Sequence, residues 1–493
     1  MPRSTLQKFT AAASTSILAL ALTGCAAVGG GEIPSASSPI TPSEAKMGSD
    51  AHPQLLNEFG GAMTGPYANY VERVGKNISV QSGLGNAQED FTVSLLNSSV
   101  NNAFAIPGGY VYVTRQLVGL MNNEAELAGV LGHEVGHVAA RHSAKRQARA
   151  QRNSIFGAIG QVLSGVLLGD SGLGRIGQQL SSQVPQLATL SYSRNQELQA
   201  DELGIQYLNK AGYDPRAMAT LLSSLAAQNS LDAQLQGRGD ATMPEWASTH
   251  PDPASRVQSA LGKAQGMTGV TNRDTFLTRI DGLIYGDDPK QGIIEGSTFT
   301  HPDLRLSFTA PQGFYMVNGT RAVSINGTSG RGQLTTAQYS GNLDNYVRSV
   351  FTSLGSEQQQ IAPQEMQRTT VNGIPAVYAT ARVNNGQANV DVVVFAYEFS
   401  NSSAFHFITV SEAGRSDVFS PMFQSMRRIS TAQANAIVPR KIAVVTAGSG
   451  DTVQSLANRM AYTDGKVERF RVLNGLSSTA GIQAGQKVKI VVK

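Results

Sequence analysis

Glu126-Leu-Ala-Gly-Val-Leu-Gly-His-Glu-Val-Gly-His-Val138 decides how this chain reads, because it contains His133-Glu134-x-x-His137. In a helix, residues four apart share a face, so both imidazoles can meet one metal ion while Glu134 lies about 100° round, beside it. That spacing suits a zinc site whose neighbouring carboxylate handles protons. Asn123 is a good N-cap with Glu126 three residues on, and Leu127, Val130, Leu131, Val135 and Val138 supply an apolar stripe. Gly129, Gly132 and Gly136 interrupt it. Each mid-helix glycine costs about 1 kcal/mol against alanine, and local rules are broken this way chiefly at functional sites.

Two flanking stretches extend the site. Ser193-Arg-Asn-Gln-Glu-Leu-Gln-Ala-Asp-Glu202 opens with a Ser193/Gln196 capping box, and Gly212 and Pro215 close the helix, so the pattern predicts a helix from Arg194 to Ala211. Glu197 and Asp201 are four apart in it, so one carboxylate can bind metal while the other orients a ligand imidazole. Upstream, Asn101 to Thr114 reads as two short strands joined through Pro107-Gly108-Gly109. An edge strand beside a metal can accept an extended peptide by strand addition. After His137, Arg141 and His142 lead into Lys145-Arg146-Gln-Ala-Arg149, which reads as a basic helical tail with a solvated face.

Asn102-Ala-Phe-Ala-x-Pro-Gly-Gly109, Glu126-Leu-Ala-x-Val-Leu-x-His-Glu-x-x-His137, Arg141-His142, Ser193-Arg-x-x-Glu-x-x-Ala-Asp201 and Ala211-Gly-Tyr-Asp-Pro215 follow one another here. That order resembles the HtpX-like and CaaX-prenyl-protease-like zinc metallopeptidases of gluzincin type, and specifically their soluble, exported members, over about Ala51 to Gly262. The resemblance implies that His133, His137 and Glu197 bind one zinc ion per chain, with Glu134 as general base, Asp201 behind a ligand imidazole, and Asn102, Ala103, Phe104 and Ala105 as the substrate-binding edge. Thr249-His-Pro-Asp-Pro-Ala-Ser-Arg256 resembles the downstream His-Pro...Arg element of the exported members. By that resemblance His250 is a transition-state donor or a switchable fourth ligand, and Arg256 lines the cleft as a substrate or oxyanion clamp. His52, His142, His301 and His406 are given no role. The transmembrane helices of the integral-membrane members are missing. Ile155 to Leu180, rich in glycine and aliphatics, lacks the ~20 uninterrupted apolar residues of a span and reads as a mobile lid or helical hairpin over the cleft.

The first residues set the expected compartment. Arg3 and Lys8 precede the apolar run Ile17 to Leu22, too short to cross a bilayer but suited to a signal peptide. It ends at Leu22-Thr23-Gly24-Cys25, which looks like a lipobox, and Cys25 is the only cysteine among 493 residues. A lone exported thiol is explained if Cys25 is lipidated and becomes the mature N-terminus. Ala26 after it favours the periplasmic face of the bacterial outer membrane. Residues 1–24 are then a signal peptide and 25–50 a flexible Gly/Ser/Pro tether. Without Arg3 and Lys8 the 39 basic residues fall to 37 against 35 acidic ones, which gives no electrostatic case for nucleic acid.

The remainder reads as further domains, as the length requires. With 51–270 as the peptidase-like domain, 271–432 carries alternating strand patterns (Leu304–Phe308, Ala322–Ile325, Gly332–Thr336, Ala376–Ala379, Val390–Tyr397, Phe405–Val410) and two helices, 343–354 and 417–425. It contains no catalytic constellation. Residues 440–493 resemble a LysM module in Gly450-Asp-Thr-Val453, Phe470-Arg-Val-Leu-Asn-Gly-Leu476 and Ile482-Gln-Ala-Gly-Gln-Lys-Val-Lys-Ile490, which implies a βααβ fold and binding of peptidoglycan-type glycans. The expected whole is a multidomain α+β protein: a mainly helical zincin-type domain with a small edge sheet, an antiparallel α+β middle domain, and the small βααβ domain. Its expected substrates are unfolded or misassembled envelope proteins, cleaved by a zinc endopeptidase. The rival is an assembly factor or chaperone with a latent site, anchored to peptidoglycan.

Overall fold

A computed structural model describes residues 38–85, 87–145, 192–235, 250, 253–354, 361–384 and 389–493. The expected signal peptide, Cys25, the first half of the expected tether and the expected Ile155–Leu180 lid lie outside the described residues. Among those described, no helix is long and apolar enough to cross a membrane.

The first helix, α1 (Pro42–Glu58), corrects the expected extent of the tether. Thr41 and Glu44 form a reciprocal capping box with Pro42 at the first helical position, so residues 42–50 of the expected tether are helical. After α2 (Pro66–Ser79) comes a three-stranded sheet of β1 (Thr92–Leu96), β2 (Ala103–Ile106) and β3 (Tyr110–Thr114). Its order is β1-β3-β2, with β1 parallel and β2 antiparallel to β3, so β2 is the edge strand. Alternation along these strands serves two cores. Val93, Leu95, Val111 and Val113 join the main core with α2, while Leu96, Ile106 and Tyr112 pack on Leu55 and Phe59 of α1.

Helices α3 (Arg115–Leu120), α4 (Glu124–Ala139), α5 (Arg194–Lys210), α6 (Ala217–Leu235), α7 (Pro253–Lys263) and α8 (Arg273–Ile280) complete the first unit. Asn123 caps α4, accepting from the Glu126 N–H, and Ser193/Gln196 caps α5, both as the sequence predicts.

The middle region is built on a seven-stranded antiparallel sheet, order β10-β11-β12-β13-β9-β8-β7. Its strands are β7 (Tyr315–Asn318), β8 (Val323–Gly327), β9 (Gly330–Thr336), β10 (Gln367–Val371), β11 (Ile374–Asn384), β12 (Asn389–Ser400) and β13 (Ser403–Glu412). Helix α9 (Leu343–Leu354) covers one face, and α10 (Ser420–Ser425) with the small strands β4 (Ile293–Glu295), β5 (Thr298–His301), β6 (Leu306–Thr309) and β14 (Arg427–Arg428) covers the other. That double cover explains the unbroken apolar run on β12. Val393, Phe395 and Tyr397 enter one core, while Val392, Val394 and Ala396 enter the other.

After the short helix α11 (Thr431–Asn435), the C-terminal unit folds as expected: β15 (Lys441–Thr446), α12 (Val453–Asn458), α13 (Lys466–Leu473) and β16 (Lys487–Val492), with the strands antiparallel. It is not a separate bead. Leu456, Phe470, Val488 and Ile490 belong to the same buried cluster as Leu120, Leu127 and Leu277. Residues 282–285 add themselves to β15: Gly282 N–H donates to Ile442 O (2.8 Å), Ile442 N–H to Leu283 O (2.8 Å) and Tyr285 N–H to Arg440 O (2.9 Å). The fully buried Lys489 Nζ donates to the carbonyls of Gly119 (2.9 Å), Leu120 (3.1 Å) and Met121 (2.5 Å) at the end of α3.

Candidate metal centre

The glycines that weaken α4 as an isolated helix are what let α5 approach it. A Cβ on Gly136 would stand 3.2 Å from Ala200 O and from Leu203 Cβ, and one on Gly204 would stand 3.2 Å from the backbone N of His133. The two helices therefore meet backbone to backbone, and Glu197 of α5 lies across from the imidazoles of α4. All four functional side chains of the seam are buried: His133, His137, Glu197 and Asp201.

His250, from the segment before α7, joins them. One donor atom from each of His133, His137, Glu197 and His250 lies within 4.8 Å of all the others. The close separations are His137 Nε2 to His133 Nε2 3.1 Å, His133 Nε2 to His250 Nδ1 3.3 Å, His250 Nδ1 to Glu197 Oε1 3.1 Å, and His137 Nε2 to Glu197 Oε1 3.3 Å. His133 Nε2 stands 3.6 Å from Glu197 Oε2. For zinc–ligand bonds of about 2.0–2.1 Å, the edge of a regular tetrahedron is about 3.3–3.4 Å. The four groups thus converge at separations close to that edge, and three imidazoles with one carboxylate form a donor set that zinc accepts.

Around these atoms stands a second layer. Asp201 Oδ1 lies 2.9 Å from His133 Nδ1, which leaves His133 Nε2 facing the centre. Arg256 holds both carboxylates, donating Nε–H (2.8 Å) and Nη2–H (2.5 Å) to Asp201 and Nη1–H to Glu197 Oε2 (2.5 Å). Burial pushes Asp201 up, but the hydrogen bonds of Arg256 and His133 more than offset it and bring its carboxyl down to about 2. Burial acts likewise on Glu197, where His250, His137 and His133 hold the carboxyl well below the usual range. For Glu134 burial wins and the carboxyl is raised. Glu134 Oε1 is buried without a hydrogen-bond partner, and His250 Nε2 is 3.5 Å away. A buried carboxylate oxygen beside a cluster of metal-ligating side chains is placed as a proton-handling group requires.

The structure corrects one expectation here. Arg256 was expected at the cleft wall; it is 1% exposed and spends its donors on Asp201 and Glu197, because two buried carboxylates need a buried cation more than a solvated cleft does. Arg141 and His142 are buried, and of the basic tail that follows them Lys145 is exposed while residues 146–149 lie outside the described residues. Arg141 takes φ 52, turning the chain at the end of α4, and its Nη2–H donates to Ser38 O (3.0 Å) and Pro39 O (3.3 Å). Asn102 is buried just outside β2, its backbone tied to Thr114 on both sides, whereas Ala103, Phe104 and Ala105 lie on the edge strand. Ala105, Pro107, His137, Arg141 and Tyr192 line one small crevice, so the edge strand borders the metal centre.

Sequence reasoning missed Tyr192, whose ring stacks on His137 (centroids 3.8 Å apart, 20° between planes). Its one signal was its place just before the Ser193 cap. His142 was left without a role, although its pairing with Arg141 recurs in the resembling family.

Residues 67–264 match the model of Peptidase family M48 and residues 445–491 that of the LysM domain. These two stretches are therefore similar to an M48 peptidase domain and to a LysM domain. It is similar to the beta-barrel assembly-enhancing protease of Escherichia coli O157:H7, 32% identical over 216 residues that cover 43% of this chain and 42% of that protein. The protein of the same name from Yersinia pestis is 32% identical over 201 residues, 40% of this chain and 39% of its own length. The mitochondrial metalloendopeptidase OMA1 of Schizosaccharomyces pombe is 31% identical over 219 residues, 44% and 59% respectively. The chain thus spans less than half the length of the bacterial relatives it matches.

Proposed function

We propose that this chain is a zinc-dependent endopeptidase that cleaves unfolded or misassembled cell-envelope proteins. The observation that carries the reading is the buried cluster of His133, His137, Glu197 and His250 with the orphaned Glu134 Oε1 beside it. Bound zinc would supply Lewis acidity, polarising a peptide carbonyl and acidifying a water molecule. Glu134, made more basic by burial, takes the proton from the attacking water and delivers it to the leaving amine. Ala103–Ile106 offers a free strand edge on which an extended substrate backbone aligns, which favours chains that have lost their fold. The M48 match and the relatives named for β-barrel assembly support both the chemistry and the envelope setting.

Three further parts of the reading rest on sequence. Cys25 is the lipid-modified residue that anchors the chain at the periplasmic face of the outer membrane. The LysM domain contacts peptidoglycan. One zinc ion is held per chain. Replacing Cys25 by Ala should move the protein from the membrane to the soluble fraction.

The central test is Glu134→Gln, which keeps all four ligands. It should retain one zinc per chain by elemental analysis and lose about 10²–10⁴-fold in cleavage of an unfolded outer-membrane protein. Retained proteolysis sinks the reading.

A second reading has its own observation. His250 Nδ1 stands among the other ligand atoms and its Nε2 lies 3.5 Å from Glu134 Oε1, so this ring sits between the metal position and the base. A chaperone-like assembly factor with a latent protease would look like this. His250→Ala separates the two: faster cleavage means that His250 is a latch, and lost cleavage means that it acts in the reaction.

A further inference from the structure

We propose that His142 is a positioning residue for the metal centre, fixing the ligand His137 through a directed chain of hydrogen bonds that ends on Gln199; this rests on the zinc reading above.

The argument is one of donors and acceptors. His137 turns Nε2 toward the other three ligands, at 3.1 Å from His133 Nε2 and 3.3 Å from Glu197 Oε1. A neutral imidazole that offers Nε2 as a ligand carries its hydrogen on Nδ1. His137 Nδ1 lies 2.8 Å from His142 Nδ1, so the latter must be the bare, accepting nitrogen. The hydrogen of His142 is then on Nε2, and 3.0 Å from that atom is Gln199 Oε1, an acceptor. Each link agrees with the next, and only one assignment of hydrogens satisfies all of them.

The backbone builds the same arrangement. The left-handed turn at Arg141 ends α4 and brings His142 back under His137, five residues earlier. The His142 carbonyl also accepts from Gln196 Nε2–H at 3.4 Å. Helix α5 thereby supports both ligand imidazoles of α4 from one side: Asp201 stands directly behind His133, and Gln199 acts on His137 through His142. One ligand is backed by a carboxylate and the other by a neutral ring, so the centre gains an oriented second imidazole without a further buried charge.

Outer partners of this kind are worth about 10–100-fold in metal affinity. In the full-length protein, His142→Leu should weaken zinc binding by that factor in competition with a chromophoric chelator. It should also shift the visible absorption bands of the cobalt(II)-substituted protein, which a remote packing defect would leave in place. His142→Asn, whose Oδ1 can accept from His137 Nδ1–H, should restore most of the affinity. Gln199→Leu, on the exposed side of the chain of bonds, should move both readouts in the same direction by less, and it carries the test if His142→Leu does not fold. Unchanged affinity and spectrum in folded His142→Leu and Gln199→Leu would overturn the proposal and leave the zinc reading standing. A wild-type protein that takes up no zinc would overturn both.

Discussion

At the scale of single residues, the centre depends on a cation that belongs to neither the metal nor the substrate. Arg256 neutralises Glu197 and Asp201 where neither can reach water. Arg256→Met keeps the length of the side chain and removes the charge, which strands two buried carboxylates. The expected cost is about 3–5 kcal/mol, seen in urea unfolding with chelator present and reduced when zinc is added. A loss below about 1 kcal/mol would show that the pair is not what holds α7 to α5. His133 and His137 were legible because a spacing of four residues has a fixed meaning on a helix, and Glu197 because it stands at the same spacing from Asp201 in a stretch that carries the family resemblance. Arg256 was legible as a position but not as a role. A guanidinium next to a cleft motif reads the same from sequence whether it faces substrate or the back of a ligand.

Among elements, the seam between α4 and α5 shows why sequence could find the helices yet misjudge their glycines. Taken alone, Gly136 and Gly204 only weaken a helix; paired across the seam, they permit the approach that aligns Glu197 with two imidazoles. In the middle region the long strands were readable from alternation, whereas β4, β5, β7 and β10 are three to five residues long and offered too little pattern. His406 on β13 is a buried histidine with a structural role, its Nδ1 2.8 Å from Tyr346 Oη. Burial lowers it to about 3, so it is neutral in the folded protein. An unfolded chain takes up that proton below about 6.5 and the folded one does not. The stability tied to His406 is thus complete above about pH 6.5 and is lost as pH falls toward 3, at about 1.4 kcal/mol per pH unit. Opening free energies for residues 389–412 from hydrogen exchange should fall between pH 7 and pH 5 in the wild type and fall less in His406→Leu. Equal slopes in the two proteins would count against this.

For the molecule as a whole, the C-terminal LysM-like unit is part of the same folded body as the first unit. Lys489 is inserted among three carbonyls at the end of α3, and Glu126, in the first turn of α4, is its nearest opposing charge. Burial pushes the Lys489 ammonium down to about 7, so the site keeps its cation only through those partners. Deleting residues 440–493 would expose the apolar residues of α3 and α8 and leave those carbonyls unbonded. The truncated protein is expected to lose its cooperative thermal transition and its zinc together. A fragment ending at residue 439 that melts like the full chain would show instead that the domain is a detachable anchor.

From sequence alone came the metal-ligand spacing, both helix caps, the edge strand beyond Asn102 and the middle sheet's long strands. All are set by contacts within a few residues or by patterns repeated along one element, whereas the βααβ order of the C-terminal unit was implied by a family resemblance. Only the tertiary structure decided that His250 joins the cluster of His133, His137 and Glu197, that Arg256 faces inward, that His142 stands behind His137, and that the C-terminal unit shares the core of the first. Those contacts join side chains that, His142 excepted, lie more than fifty residues apart, and no local periodicity records which distant group a buried charge or imidazole will meet.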